Sequence, residues 1–171
     1  MATLHHDLLS QAHSLAMFEK GKPKQASLRR AVSCAYYALF HLLVMEGAAL
    51  LGSKLSNDAR AKLRRSFTHA DMKQVCASYT QPETKFNPQI AGLLTFPIFP
   101  ELREVADMFV FLQDERHKAD YDISVRFSRP DVLLAVSDLE DVFLKWKTTR
   151  TSDNAKVFLA DLVLRRSWSR Q

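Results

Sequence analysis

One arginine stands where the pattern of its helix requires an apolar residue. From residue 101 onward, apolar side chains recur at steps of three and four that define one buried helical face: Leu102, Val105, Phe109 and Leu112. The next step of four lands on Arg116. A guanidinium keeps its charge in proteins and is costly to bury alone. Arg116 is therefore expected to pair with a carboxylate or to face a cleft, with Asp120 and Tyr121 as neighbours; alternatively it reaches solvent from the helix end.

A second polar stripe follows the helix predicted over residues 27–51. Its hydrogen-bonding side chains recur at steps of three, four and four: Arg30, Ser33, Tyr37 and His41. The adjoining stripe is a predicted core face of mostly small residues: Ala31, Ala35, Ala38, Leu42, Met45 and Ala49. An apolar helix has no packing need for four aligned polar groups, so the stripe predicts a polar cleft or an interface. Alternatively, Tyr37 and His41 lie in the core and bond to backbone carbonyls.

A third pattern is basic. Cations recur at steps of three, four and four on the helix predicted over residues 56–78: Lys62, Arg65, His69 and Lys73. Residues 1–100 hold 12 Lys+Arg against 6 Asp+Glu, whereas residues 101–171 hold 12 against 13, so the excess positive charge lies in the first part. Such a stripe could contact a phosphate backbone, although a solvated charged face gives the same pattern.

Other chemistries lack their motifs. The chain has no glycine-rich phosphate loop, HExxH, CxxC pair or nucleophile elbow, and its carboxylates suggest no acid/base pair. Cys34 and Cys76 fall in helical patterns and are expected to be small core residues. We therefore expect neither a metal nor a cofactor. No apolar run approaches the roughly 18 residues of a membrane span, and no signal peptide is evident, so a cytoplasmic protein with no membrane partner is expected.

The coarse organisation is helical throughout. Helices are predicted over about residues 2–19, 27–51, 56–78, 100–118 and 128–146, the last of them capped by Ser128. A sixth helix is predicted to begin at Ser152, which caps it. The apolar segment 81–100 is predicted to be a long connection. We expect an all-α, four- to five-helix bundle over residues 1–150 and a helical tail over 151–171 that packs on the bundle or on a partner. Strands should hold less than about a tenth of the residues, with segment 120–127 the best candidate.

Two segments together resemble the HEPN family, the small helical domains of prokaryotic toxins and defence systems. The first is Leu28-Arg29-Arg30-Ala31-Val32-Ser33-Cys34-Ala35-Tyr36-Tyr37-Ala38-Leu39-Phe40-His41. It is similar to the Arg-Ala-x-Ser-x-Ala-Tyr-Tyr-Ala-x-Phe-His signature of short bacterial HEPN-like proteins. The second, Arg116-His117-Lys118-Ala119-Asp120-Tyr121, looks like the Arg-x-x-Ala-Asp-Tyr motif of that group.

The resemblance implies a HEPN-like bundle that commonly dimerises, with the motif residues facing a cleft. The expected binding residues are Arg30, Ser33, Tyr37, His41, Arg116, Asp120 and Tyr121. Ribonuclease members of the family carry a histidine four to six residues after the arginine, whereas this chain has Tyr121, Asp122 and Ile123 in that window. A phenol is a poor general base at neutral pH. Any catalytic candidates are therefore Arg116, Tyr121 and His41, and His69 is a further source of imidazole.

The resulting functional expectation is a HEPN-like domain that binds RNA or a nucleotide around Arg116, in a toxin–antitoxin or defence context. One alternative is a metal-independent ribonuclease toxin. The other is a non-catalytic interaction module that partners a nucleotidyltransferase. A homodimer is expected as well, both from the family resemblance and because Phe111 falls on the charged face of its helix.

Overall fold

The computed structural model describes residues 3–52 and 54–168, with side chains through residue 165. It is 76% helix, and the described residues contain no strand, which confirms the all-α prediction. Segment 120–127, the best strand candidate, forms none. The α-helices in this part of the chain are α1 (Leu4–Ala16), α2 (Gln25–Leu51), α3 (Asn57–Arg65), α4 (His69–Tyr79), α5 (Pro88–Ala91), α6 (Pro100–Tyr121), α7 (Arg129–Thr149) and α8 (Asp153–Trp168).

The first two helices differ from their predicted bounds at three of four ends. Helix α1 begins at Leu4 and ends at Ala16, three residues before the predicted end. Helix α2 begins at Gln25, so Ser27 is not its cap; the Ser27 hydroxyl instead donates to Glu19 Oε1 at 2.7 Å. Its end at Leu51 is as predicted. The predicted core stripe holds except at its end, because Met45 is 37% exposed and Ala49 is exposed too.

The single helix predicted over residues 56–78 is wrong. The chain forms α3 and α4 with a break between them. Thr68 caps α4, since its hydroxyl accepts from the Asp71 N–H. Phe67 lies buried in the break, and its ring sits 2.7 Å from the position that a Cβ at Gly47 would occupy. Glycine at position 47 leaves room for this ring, because any side chain there would displace it.

Helix α6 opens at Pro100 as predicted but continues to Tyr121, three residues beyond the predicted end. Both later caps are confirmed. The Ser128 hydroxyl accepts from the Asp131 N–H at the start of α7, and the Ser152 hydroxyl accepts from the Ala155 N–H at the start of α8. Helix α7 runs three residues past the predicted end, to Thr149.

The chain divides into two compact units. Unit 1 comprises the described residues up to Leu42 together with Met108–Leu144, and unit 2 comprises Leu43–Asp107 together with the described residues from Lys145 onward. This division does not coincide with the boundary predicted at residue 150, which stays a prediction.

Unit 1 has a core of small and branched side chains from α1, α2, α6 and α7: Ala16, Leu28, Ala31, Val32, Ala119 and Val132. Polar side chains tie the segments around it. The Gln25 amide donates to the Phe127 carbonyl at 2.8 Å and accepts from its N–H at 3.0 Å. Arg129 donates to the Ala16 carbonyl at the end of α1. Cys34, expected in the core, is only partly buried.

Unit 2 is centred on the packing of α4 against α8. The Tyr79 ring meets the rings of Phe86 and Phe158 edge to face, at centroid distances of 5.2 and 4.9 Å. Segment 81–100 is not a bare loop, because it holds a 3-10 turn (Glu83–Lys85) and α5. Its apolar side chains are mostly buried, namely Phe86, Ile90, Leu94 and Ile98, while Leu93 and Phe99 are each 54% exposed.

Among the described residues, one helix is long and apolar enough by length and composition to cross a membrane. This is α2, and 56% of its most apolar window is buried inside the protein. The expectation that no segment could pass was therefore too strict, although a single mostly buried helix is weak support for a span.

A carboxyl group lies buried in unit 2. The Asp161 side chain is fully buried, and neither of its oxygens has a hydrogen-bond partner in the described part of the chain. Burial raises the pKa of Asp161 to about 6, and attraction to Arg165 opposes that shift. Burial raises the pKa values of the buried Cys76 thiol and Tyr79 phenol, and the nearby Asp161 charge raises them further.

Asp161 therefore predicts a pH-dependent stability. Its folded pKa of about 6 lies above the ordinary value of 3.8, so the folded state binds the extra proton. The stabilisation is complete below about pH 4 and is lost as pH rises through about 6, with a total of about 3 kcal/mol from a shift of about two units. Asp161→Asn should unfold like the wild type at pH 4 but be more stable at pH 8, measured by urea denaturation.

The exposed Asp107→Asn in the same unit is the matched control. It should leave the pH profile unchanged. A wild-type stability that does not fall between pH 4 and pH 7 would contradict the assignment of this pKa to Asp161.

Candidate functional site: a cleft around Arg116

A cleft of about 540 Å³ opens in unit 1 between the first half of α2 and the last turns of α6. Six of the seven predicted binding residues line it, since only His41 is absent from its wall. The lining residues are Ala26, Arg29, Arg30, Ser33, Tyr37, Arg116, Ala119, Asp120 and Tyr121. The two sequence motifs therefore meet in one cavity, at a size typical of small-molecule sites.

Arg116 is held in place by its own helix and by α2. Because α6 continues to Tyr121, Asp120 lies one turn beyond Arg116, and Arg116 Nε stands 2.7 Å from Asp120 Oδ2. The Nε–H does not point along a hydrogen-bond direction, so this contact is an ion pair rather than a linear hydrogen bond. Arg116 Nη2 also donates to the Tyr37 hydroxyl at 3.1 Å. Both expectations for Arg116, a carboxylate partner and a cleft, are thus met in one arrangement.

The Asp120 carboxylate is itself positioned by α2. Ser33 is buried and donates its hydroxyl to Asp120 Oδ1 at 2.8 Å. One oxygen of the Asp120 carboxylate therefore accepts from Ser33, and the other pairs with Arg116. The carboxylate thus links the Ser33 and Arg116 side chains. The Arg116 and Asp120 side chains are 19% and 23% exposed, which leaves the pair open to the cleft.

Three aromatic rings surround the guanidinium. The Arg116 Cζ lies 5.8, 5.6 and 5.9 Å from the ring centroids of Tyr36, Tyr37 and Tyr121 respectively. A cation within about 6 Å of a ring face is attracted by the ring quadrupole. Burial lowers the pKa of Arg116, but attraction to Tyr37, Asp120 and Tyr121 outweighs it and the net pKa is raised. The cleft therefore presents a permanent, oriented cation.

Arg29 and Arg30 are neighbours with different surroundings. Arg29 Nη1 donates to the carbonyls of Lys118 and Ala119 in the last turn of α6, at 3.2 and 2.8 Å. Its Nη2 donates to the carbonyls of Asp122 and Val125 at 2.9 and 2.6 Å. Arg29 thus caps α6 and holds the linker after it. Arg30 is exposed at the cleft wall, where it adds a second cation to Arg116.

Sequence reasoning missed the role of Arg29. It lies beside the polar stripe rather than on it, and its partners are backbone carbonyls 89 to 96 residues away. The only signal in the sequence was a second arginine in the first motif. Spacing cannot reveal backbone acceptors that are so distant along the chain.

His41 is a different case. Its ring stacks on Tyr37 with centroids 6.2 Å apart, one turn farther along α2, but it does not line the cleft. Burial lowers the pKa of His41, which favours its neutral imidazole. Tyr121 is 65% exposed at the cleft, and its ring contacts His117 at 5.0 Å.

The four cations of the basic stripe do not share one helix. Lys62 and Arg65 are exposed on α3, whereas His69 and Lys73 belong to α4 and are partly buried. The expected single helical face is therefore wrong, because the break at residues 66–68 ends the helix between the two pairs. Contact with a phosphate backbone stays a prediction for these four residues.

The two neighbouring arginines give a matched test. Arg29→Gln should reduce the free energy of unfolding by about 2 kcal/mol, because four carbonyls lose a partly exposed charged donor. Arg30→Gln should change it by less than about 0.5 kcal/mol, as for an ordinary surface substitution. Urea denaturation of both variants measures the difference. Equal losses would contradict the capping role of Arg29.

Comparison of the chain with protein-family models, curated proteins and solved structures finds no match. The likeness to HEPN domains rests on the two motifs. The geometric observation beside it is that one cleft contains residues of both, with Ser33 of the first motif bonded to Asp120 of the second.

Proposed function

We propose that residues 1–150 form a HEPN-like domain whose Arg116 cleft, in unit 1, binds RNA or a nucleotide through its phosphate, in the cytoplasm and in a toxin–antitoxin or defence context. The observation that carries the proposal is the fixed guanidinium of Arg116. It is oriented by Asp120 and Tyr37, yet its side chain is 19% exposed to a cleft of about 540 Å³. A preorganised guanidinium suits phosphate because its donors match two phosphate oxygens.

The rest of the cleft supports a nucleic-acid ligand. Arg30 supplies a second cation at the wall, and Tyr121, which is 65% exposed, offers a ring on which a base can stack. Phosphate contact and base stacking together favour a nucleotide unit over a simple anion.

Binding is better supported than cleavage. No histidine is among the residues that line the cleft, and His41, the candidate imidazole nearest to it along α2, stacks behind Tyr37. General acid–base catalysis requires a proton acceptor within hydrogen-bond reach of the ligand, and the one carboxylate in the lining, Asp120, is already held by Arg116 and Ser33. Incubation of the wild type and Arg116→Ala with total RNA tests the ribonuclease alternative. Cleavage that is lost in Arg116→Ala would replace the binding proposal with the ribonuclease.

An interaction role has its own observation. A small apolar pocket of about 60 Å³ lies in unit 1 between α2, α6 and α7, and Phe111 at its edge is 47% exposed. Glu115 and Asp131 also line it. This surface supports the proposed homodimer, and it is also where a nucleotidyltransferase partner could dock in the interaction-module alternative.

The first prediction here concerns Arg116→Lys. Lysine keeps the charge near Asp120 but loses the planar fork, so affinity for a fluorescein-labelled single-stranded RNA should fall on the order of tenfold or more, the effect of one charge-assisted hydrogen bond. Stability should change by no more than about 1 kcal/mol, since the ion pair is partly exposed. Fluorescence anisotropy and thermal melting measure the two quantities.

Arg126→Lys is the matched control, an exposed arginine of the same unit outside the cleft lining. It should bind RNA like the wild type. If Arg116→Lys also binds like the wild type, or if Arg116→Ala and Asp120→Ala both collapse the melting temperature by about ten degrees or more, a structural ion pair would explain the geometry instead.

The homodimer proposal makes a separate prediction. Light scattering at tens of micromolar should give twice the chain mass for the wild type, and Phe111→Ser should shift the population toward monomer because the exposed apolar ring is lost. Leu134→Ser, at a residue that is 62% exposed but does not line the apolar pocket, is the control. A wild type that is monomeric at this concentration would contradict the dimer.

A further inference from the structure

Helix α3 is unusual among the helices of unit 2 because none of its nine residues is buried. Isolated helices of this length are marginal in water, and a helix in a protein is normally stabilised by a buried face. The α3 N-terminus is capped by the Ser56 hydroxyl, which accepts from the Ala59 N–H. A cap of this kind contributes only about 1 kcal/mol. Four of its residues are partly buried, namely Ala59, Arg60, Ala61 and Leu63. An external surface that covers the exposed face of α3 would add to that burial.

The charge on this segment is strongly positive. Residues 54–65 contain five cations, Lys54, Arg60, Lys62, Arg64 and Arg65, against one acid, Asp58, for a net charge of 5 − 1 = +4. Three of these cations, Lys62, Arg64 and Arg65, are exposed within four consecutive residues of α3. The occupant that this charge fits is therefore anionic.

Exposed leucines adjoin these cations. Leu50 and Leu51 at the end of α2 are each 39% exposed, and Leu55 just before α3 is 44% exposed. The end of α2 adjoins α3 at Gly52, because a Cβ there would lie 3.1 Å from the Arg60 side-chain stem and 3.5 Å from the Leu55 side chain. The surface thus combines cations with aliphatic side chains. We name residues 50–52 and 54–65 the leucine–arginine surface.

We propose that the leucine–arginine surface docks onto a lipid bilayer that carries anionic headgroups. At such an interface the arginines and lysines meet the headgroups, while the leucines enter the boundary of the acyl chains. A nucleic acid offers phosphates but no apolar layer that would cover the leucines. Residues 50–65 also contain no aromatic side chain on which a base could stack.

This contact differs in kind from a membrane span. The expectation that no membrane is a partner came from the lack of a spanning segment, and it does not bear on a peripheral contact of a few side chains. The inference uses only residues of unit 2 and does not depend on the proposed ligand of the Arg116 cleft.

Vesicle co-sedimentation of the full chain tests the inference. The wild type should bind phosphatidylcholine vesicles that contain phosphatidylserine, and should bind pure phosphatidylcholine far less. The triple variant Lys62→Gln, Arg64→Gln, Arg65→Gln should lower the partition coefficient on the order of 100-fold, at roughly fivefold for each cation near an anionic surface. The pair Leu51→Ser, Leu55→Ser should lower it on the order of tenfold, through lost apolar burial.

Matched controls remove the same groups elsewhere. Lys20→Gln, Lys22→Gln, Lys24→Gln removes three charges from an exposed segment, and Leu134→Ser, Leu144→Ser removes two leucines that are 62% and 64% exposed. Both should bind the anionic vesicles like the wild type, and circular dichroism should show the same helix content in all variants.

Two results would overturn the inference. The first is vesicle binding that does not require phosphatidylserine or that falls equally in the control variants. The second is a leucine-pair variant that binds vesicles normally while the Lys62/Arg64/Arg65 triple variant loses affinity for single-stranded RNA, which would assign the surface to nucleic acid.

Discussion

The arrangement of the candidate site depends on a charge that cannot be removed. Arg116 occupies the apolar stripe of α6, and its guanidinium stays protonated at any pH at which the protein folds. The neighbouring groups have to compensate that charge and still leave the guanidinium accessible from the cleft. Asp120 does so from the next turn of the same helix, the Tyr37 hydroxyl on α2 accepts a hydrogen bond from Arg116, and Ser33 donates to the Asp120 carboxylate. Removing any of these groups would leave the arginine less oriented but still charged.

Asp120 can act only if α6 is still helical at its position. The last carbonyls of a helix have no intrahelical partner, and here Arg29 donates to those of Lys118 and Ala119. The Arg29 side chain therefore caps α6, the helix that carries Asp120, the partner of Arg116. Arg29 belongs to the first motif and Arg116 to the second. The guanidinium of Arg29 bonds to backbone carbonyls, whereas that of Arg116 is open to the cleft. Their roles follow from geometry, since their chemistry is identical.

The sequence predicted the structural features that depend on interactions between residues close together in the chain. The caps at Ser128 and Ser152 were found because each hydroxyl bonds within its own first turn. The break between α3 and α4 was missed because no glycine or proline marks it; the Phe67 ring buried in the break packs at Gly47, twenty residues earlier. For the site, helical spacing brought Arg116, Tyr37 and their neighbours to one cleft. His41, on the same stripe, does not line that cleft, because facing direction alone does not say where a cleft ends.

The backbone of the connection between α6 and α7 is held in place by contacts that do not depend on the side chains of the connection. Gln25 bonds both backbone groups of Phe127, and Arg29 bonds the carbonyls of Asp122 and Val125, so the side chains of α2 grip main-chain atoms. Every residue type except proline offers the same main-chain groups. Ile123, in the middle of this segment, is 91% exposed. Substitutions in the connection should therefore be tolerated at most positions. Gln25 and Arg29 of α2 should tolerate few substitutions, because their side chains hold the backbone of the connection.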